Sequence, residues 1–164
     1  MPTASKTSAS KAPASKAPAH KEATALLRAD HKLVSDLFEQ YEKSRSTTKK
    51  KELVTQICKE LTVHAQVEEE IFYPAVKAAL KDHELIPEAN VEHATLKDLI
   101  AQVEGLEPNG EMYDAKIKVM SEYVKHHVKE EQNEMFPKAR ATSLDMVELG
   151  EQITARKQAL MNAM

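Results

Sequence analysis

His64 and Glu68 stand four residues apart, and so do His127 and Glu131, 63 residues further along. Each pair is followed at the same distance by an aromatic residue and a proline, Tyr73-Pro74 and Phe136-Pro137. Four apart on a helix is one turn on one face, so each stretch offers an imidazole and a carboxylate side by side. A fold for this chain has to accommodate two helices that carry ionisable groups along the same line as their apolar residues. A pair of metal ions buried between helices needs nitrogen and oxygen donors presented in that way.

From Glu22 onward the apolar residues recur in alternating steps of three and four, the seam of a left-handed bundle. The first segment, about 22–44, aligns Leu27, Val34, Phe38 and Tyr41 with His31. The second, about 47–80, aligns Leu53, Ile57, Leu61, Ile71 and Ala75 with His64 and Glu68. The third, about 84–106, aligns Ala89, Leu96, Ile100 and Val103 with His93. Pro108-Asn109-Gly110 marks a turn, and the fourth, about 111–140, aligns Tyr113, Ile117, Met120, Val124 and Met135 with His127 and Glu131. A fifth, about 143–162, opens at Ser143 as its N-cap and carries Leu144, Val147, Ile153 and Leu160. Short connections make neighbours antiparallel. The expected fold is all-α, an up-down-up-down four-helix bundle with an additional C-terminal helix. Pro74 and Pro137 are expected to kink or end their helices at matching positions.

Residues 1–21 differ in kind. Lys6, Lys11, Lys16 and Lys21 recur every five residues among Ala, Pro and Ser, with no acidic residue. Such a segment has nothing to bury and is expected to be a disordered, solubilising tail, with weak polyanion contact as its functional alternative. It lacks the apolar centre of a secretory signal. The division is then tail 1–21, bundle 22–142 and C-terminal helix 143–164. The lone Cys58 forms no internal disulfide, and no apolar run reaches the ~20 residues that span a bilayer. A cytoplasmic protein without a membrane partner is expected; oligomeric state is open.

Four helices each place a histidine on the core-facing stripe, and two add a glutamate. Burying an unpaired carboxylate costs several kcal/mol, so such a core is poor unless cations satisfy it. Two metal ions would do so, with two terminal histidines each and with Glu68 and Glu131 bridging. Imidazole and carboxylate with an open position suit iron, then manganese; a structural zinc site would be closed and tetrahedral. His127 is preferred over His126, which lies about 100° around the helix from the stripe. Glu69, Glu70, Glu130 and Glu134 read as solvated charges, with Glu69 and Glu130 as reserve ligands should the register slip. His20 and His83 lie off the seams. A second repeat, Asp30-His31 with Val34 and Leu37 against Glu92-His93 with Leu96 and Leu99, has an offset of 62. It makes helices one and two resemble three and four, and it offers Asp30 and Glu92 as acceptors behind the imidazoles.

At these residues the chain resembles the hemerythrin-like, His-His-Glu cation-binding domains. The resemblance runs over roughly residues 24–140, from Leu26-Leu27-Arg28-Ala29-Asp30-His31 through His64-x-x-x-Glu68 with Ile71-Phe72-Tyr73-Pro74, Glu92-His93, and His127-x-x-x-Glu131 with Met135-Phe136-Pro137. It implies a non-haem di-iron centre held by His31, His64, Glu68, His93, His127 and Glu131. Oxygen-carrying hemerythrins have a further histidine one turn after the third-helix ligand, where this chain has Lys97, and their last carboxylate is an aspartate five residues after its histidine. These departures favour binding or sensing of oxygen, peroxide, nitric oxide or iron status over reversible oxygen carriage. The alternatives are a di-iron enzyme acting on peroxide or ferrous iron, and a metal-free helical module whose tail contacts nucleic acid.

Overall fold

The computed structural model describes residues 21–164. The expectation of a disordered tail falls, Lys21 apart, outside the described residues. The four-helix bundle forms as expected. Its first helix is α1 (Ala23–Lys43), started by the Glu22 side chain, which accepts from the backbone N–H groups of Thr24 and Ala25. The second runs as α2 (Thr47–Val67) and α3 (Tyr73–Leu80), with Ser46 capping Lys49 N–H. The third is α4 (Leu85–Glu104), whose first free N–H groups, those of Leu85 and Ile86, donate to Asp82. The fourth runs as α5 (Glu111–Glu130) and α6 (Phe136–Arg140), after the positive-φ Gly110.

Neither proline ends its helix. A π-helical turn precedes each one, Glu68–Phe72 before Pro74 and Glu131–Met135 before Pro137. A proline has no N–H, and its ring presses on the carbonyl four residues earlier. The ladder widens instead, with Tyr73 N–H donating to Glu68 O and Phe136 N–H to Glu131 O, each five residues back. The wider turn absorbs one extra residue and moves the apolar stripe by one position. Phe72, Tyr73 and Val76 are therefore buried, whereas the predicted Ile71 and Ala75 are half-buried.

The core has two apolar parts. Val34, Phe38, Tyr41, Ile57, Leu61, Leu96, Ile100 and Met120 belong to one; Leu27, Val63, Phe72, Ile86, Phe136 and Ile153 belong to the other. On every bundle helix the candidate ligands fall between residues of the two parts, so the polar layer is enclosed from both ends.

The fifth helix, α7 (Met146–Ala163), begins later than expected. Asp145, not Ser143, is the N-cap, because its carboxylate accepts from both Val147 and Glu148 N–H. Val147 is accordingly exposed. Gly150 lets α7 approach the start of α1, since a Cβ there would lie 2.3 Å from the Lys21 carbonyl oxygen. Among the described residues no helix is long and apolar enough to cross a membrane.

Candidate metal centre

Six side chains from the four bundle helices meet in the polar layer. His31 Nε2 is 3.4 Å from Glu131 Oε1, and His127 Nε2 is 3.0 Å from the same oxygen. His64 Nε2 is 2.9 Å from Glu68 Oε1, and His93 Nε2 is 3.4 Å from it. Each carboxylate thus faces one imidazole of the α1/α2 half and one of the α4/α5 half. The rings pair off as His31 with His64 and His93 with His127, their centroids 4.9 and 4.8 Å apart. Glu68 is 0% and Glu131 1% exposed.

The register question is answered by position. His127 points inward, whereas His126 is exposed and pairs with Glu130 across one turn at 3.2 Å. His83 is exposed, and His20 lies outside the described residues.

The outward nitrogens are held from behind. His64 Nδ1 is 2.9 Å from Asp30 Oδ2, whose other oxygen accepts from Lys157 of α7. His127 Nδ1 is 3.2 Å from Glu92 Oε1. His93 Nδ1 is 3.3 Å from Glu69 Oε2, and Lys97 Nζ donates to Glu69 Oε1 at 2.6 Å. The Gln132 amide lies 3.0 Å from His31 Nδ1. A carboxylate behind an imidazole draws the ring proton outward and leaves the Nε2 lone pair free to ligate. Asp30 and Glu92 act as the repeat suggested, but each serves a histidine on another helix. Glu69 is one of their kind, not a reserve ligand.

The donor set fits cations. His31 Nε2, His64 Nε2, both oxygens of Glu68 and Glu131 Oε1 are buried and make no hydrogen bond. His64 and Glu68 approach closely without hydrogen-bond direction. Native interiors rarely leave so many polar atoms unpaired in one place. A void of about 20 Å³ is lined by all four imidazoles, with Val34, Leu61, Leu96 and Val124. One ligand atom each from His31, His64, Glu68 and Glu131 lies within 4.8 Å of the others, and Glu68, His93 and His127 form a second such group.

Residues 22–139 match the profile of the hemerythrin HHE cation binding domain. The chain belongs to this family. A DNA nickase of Nostoc sp. (strain PCC 7120 / SAG 25.82 / UTEX 2576) is 30% identical over 115 residues, which is 70% of this chain and 32% of that protein. The chain therefore spans about a third of that curated relative. A solved structure of a hemerythrin HHE cation binding domain-containing protein from Mycobacterium kansasii has the same fold. It superposes with a TM-score of 0.74 at 24% identity, covering 87% of this chain and 89% of that one.

In this HHE domain the metal-free centre carries protons. Burial works against a charge on His127, but the adjacent carboxylate of Glu131 and the charge of Glu68 outweigh it, pushing its pKa up to about 9. His64 is likewise raised, its burial outweighed by Glu68 and Asp30, and Glu68 is held low by His64 despite its own burial. A cation has to displace these protons. Because the His127 pKa is raised, its proton is fully bound below about pH 6.5, the unfolded value, and leaves as pH rises through about 9. Manganese(II) affinity is therefore expected to rise from pH 6.5 to 9. Calorimetry in two buffers of different ionisation heat should count the released protons; a pH-independent affinity would contradict the assignment.

Tyr73 is a site residue that periodicity missed. Its hydroxyl donates to Glu131 Oε2 at 3.0 Å and lies 3.1 Å from His93 Nε2 and 3.2 Å from His127 Nε2. Burial and the charges of Glu68 and Glu131 hold its pKa well above the usual phenol value. At the equivalent position Phe136 stacks on His31, with centroids 5.9 Å apart and planes 4° from parallel. The halves of the HHE centre thus differ by a hydroxyl at this position, and by a charge at Glu69 and Gln132. The repeat carried that signal, a tyrosine against a phenylalanine before matching prolines. The π-turn is what rotates both rings inward.

Proposed function

We propose that the chain holds a pair of non-haem iron ions and uses them to bind or sense oxygen-derived small molecules such as oxygen, peroxide or nitric oxide, or to report iron status. His31 and His64 would hold one ion, His93 and His127 the other, and Glu68 and Glu131 both. The observation that carries this reading is the cluster of buried, unpaired nitrogen and oxygen atoms facing one another, with each carboxylate beside an imidazole of either half. Iron, when bound, supplies electron transfer and a Lewis-acid position for a small ligand. The chain's own residues orient the donors, exclude bulk water between two apolar half-cores, and keep ring protons on the outward Nδ1 atoms of His64, His93 and His127. Metal analysis and an optical spectrum of freshly purified protein test it. Stoichiometric iron with ferric absorption that responds to peroxide or nitric oxide is expected; iron-free protein that does not take up ferrous iron would refute it.

A second reading, an enzyme acting on peroxide or ferrous iron, is favoured by the Tyr73 hydroxyl, which places a transferable proton at Glu131 Oε2. Tyr73→Phe should retain the metals, lower metal-free stability by about 1–2 kcal/mol, and slow peroxide consumption if turnover is the function. Unchanged consumption would remove the phenol from the chemistry. A role at nucleic acid, through the lysines of residues 1–21, is favoured by the relative that is a DNA nickase. Salt-sensitive DNA binding lost on deleting residues 1–21 would support it.

A further inference from the structure

The void among the imidazoles shares a wall with the surface. A cleft of about 220 Å³ opens between α1 and α5, with His31 and Gln132 in its lining and Lys125 and Lys129 on α5 at its exposed edge. His31, Val124 and Val128 line both this cleft and the inner void. One imidazole edge and two half-buried valines therefore separate solvent from the candidate centre. The inner void, about 20 Å³, admits one water-sized guest.

Three further observations bear on what comes through. Ser121, 4% exposed, lines the cleft, and its Oγ has no hydrogen-bond partner. A serine inside a helix ordinarily turns back to the carbonyl four residues earlier, so this hydroxyl is free for a guest. The approaches behind His64, His93 and His127 carry the carboxylates Asp30, Glu69 and Glu92. Behind His31 stands the neutral Gln132 amide, beside the two lysines. An anion meets a carboxylate behind three imidazoles, two of them paired with Lys157 or Lys97, and meets lysines with no carboxylate in the cleft lining at the fourth.

We propose that the α1–α5 cleft is the entry site for di- and triatomic anions and their neutral conjugate acids, with Ser121 as a hydrogen-bonding way-station and Val124 and Val128 as the gate. This rests on the reading of the centre as a metal site. The gate is read through rates, because Val124 and Val128 line the path as well as the inner void.

Azide binding to the iron-loaded full chain, followed by stopped-flow absorbance, tests it, after iron content has been measured for each protein. Val128→Trp should slow association about tenfold or more, and Val128→Ala should quicken it. The double variant Lys125→Glu, Lys129→Glu should slow azide several-fold at low salt, the difference fading as salt screens the charges. Val91→Trp, an equally bulky change on an exposed α4 position, should have no effect. Wild-type rates in Val128→Trp at full iron content, or slowing by Val91→Trp, overturn the cleft and leave the centre intact. Should Val128→Trp lose iron, the lysine pair decides alone: salt-independent, wild-type azide rates there overturn the proposal. A wild-type chain that retains no iron refutes the centre, and the entry site falls with it.

Discussion

Glu131→Ala, and separately Glu68→Ala, is expected to abolish iron retention while leaving the helices in place. Each carboxylate stands beside imidazoles from both halves, so either loss would remove an oxygen donor from both ions of the proposed pair. The helices survive because two apolar half-cores, not the carboxylates, hold the bundle together. A buried carboxylate is a cost to the metal-free fold unless it is compensated. The variants should keep their helices without metal, with some loss of stability from the imidazoles and the Tyr73 hydroxyl they strand, and gain nothing from metal. Wild-type protein, by contrast, should gain about 4 kcal/mol at a free metal concentration 1,000 times Kd. Glu131→Gln separates charge from shape, since it keeps the size of the side chain; it too should lose iron. Metal analysis with thermal unfolding in the presence and absence of chelator reads both effects. Full iron content in the Glu68 and Glu131 variants would refute their shared role.

The second large effect is a contrast between neighbours. His127→Ala should eliminate the metal of the α4/α5 half and lower metal-free stability by about 1–3 kcal/mol, because it strands buried partners. Those partners are Glu131, Glu92 and the Tyr73 hydroxyl. His126→Ala should stay within about 0.5 kcal/mol of wild type and keep its iron, as an exposed pair one helical turn apart contributes little. The side chain of His126 is 65% exposed and touches Glu130 on the outer face. Iron content and urea unfolding of the two variants give the answer. The opposite order would mean that the inward imidazole is His126.

The comparison of residues 126 and 127 also shows how far a sequence can be read here. A step of seven from Met120 to His127 keeps one helical face, and nothing between them disturbs the ladder, so the inward residue follows from arithmetic. Beyond Glu68 and Glu131 that arithmetic fails. Each π-turn adds a residue, so Ile71 and Ala75 leave the seam while Tyr73 and Phe136 enter the centre. The prolines announced a disturbance but not its form, because a kink, an end and a widened turn all relieve the same clash. Ser143 was displaced by Asp145 for a comparably local reason, two accepted N–H bonds at one carboxylate.

What the linear chain determined by itself was the fold class, the seams and which six ionisable side chains lie on them, since all three depend on spacings within single helices. Only the tertiary structure decided which group stands behind each imidazole. Asp30 serves His64, Glu92 serves His127, Glu69 serves His93, and Gln132 serves His31, every one across helices. Lys157, outside the residues that match the family, reaches Asp30 from α7. Such partners follow from how helices are rotated and set against one another, and helical periodicity carries no term for the relation between two separate helices.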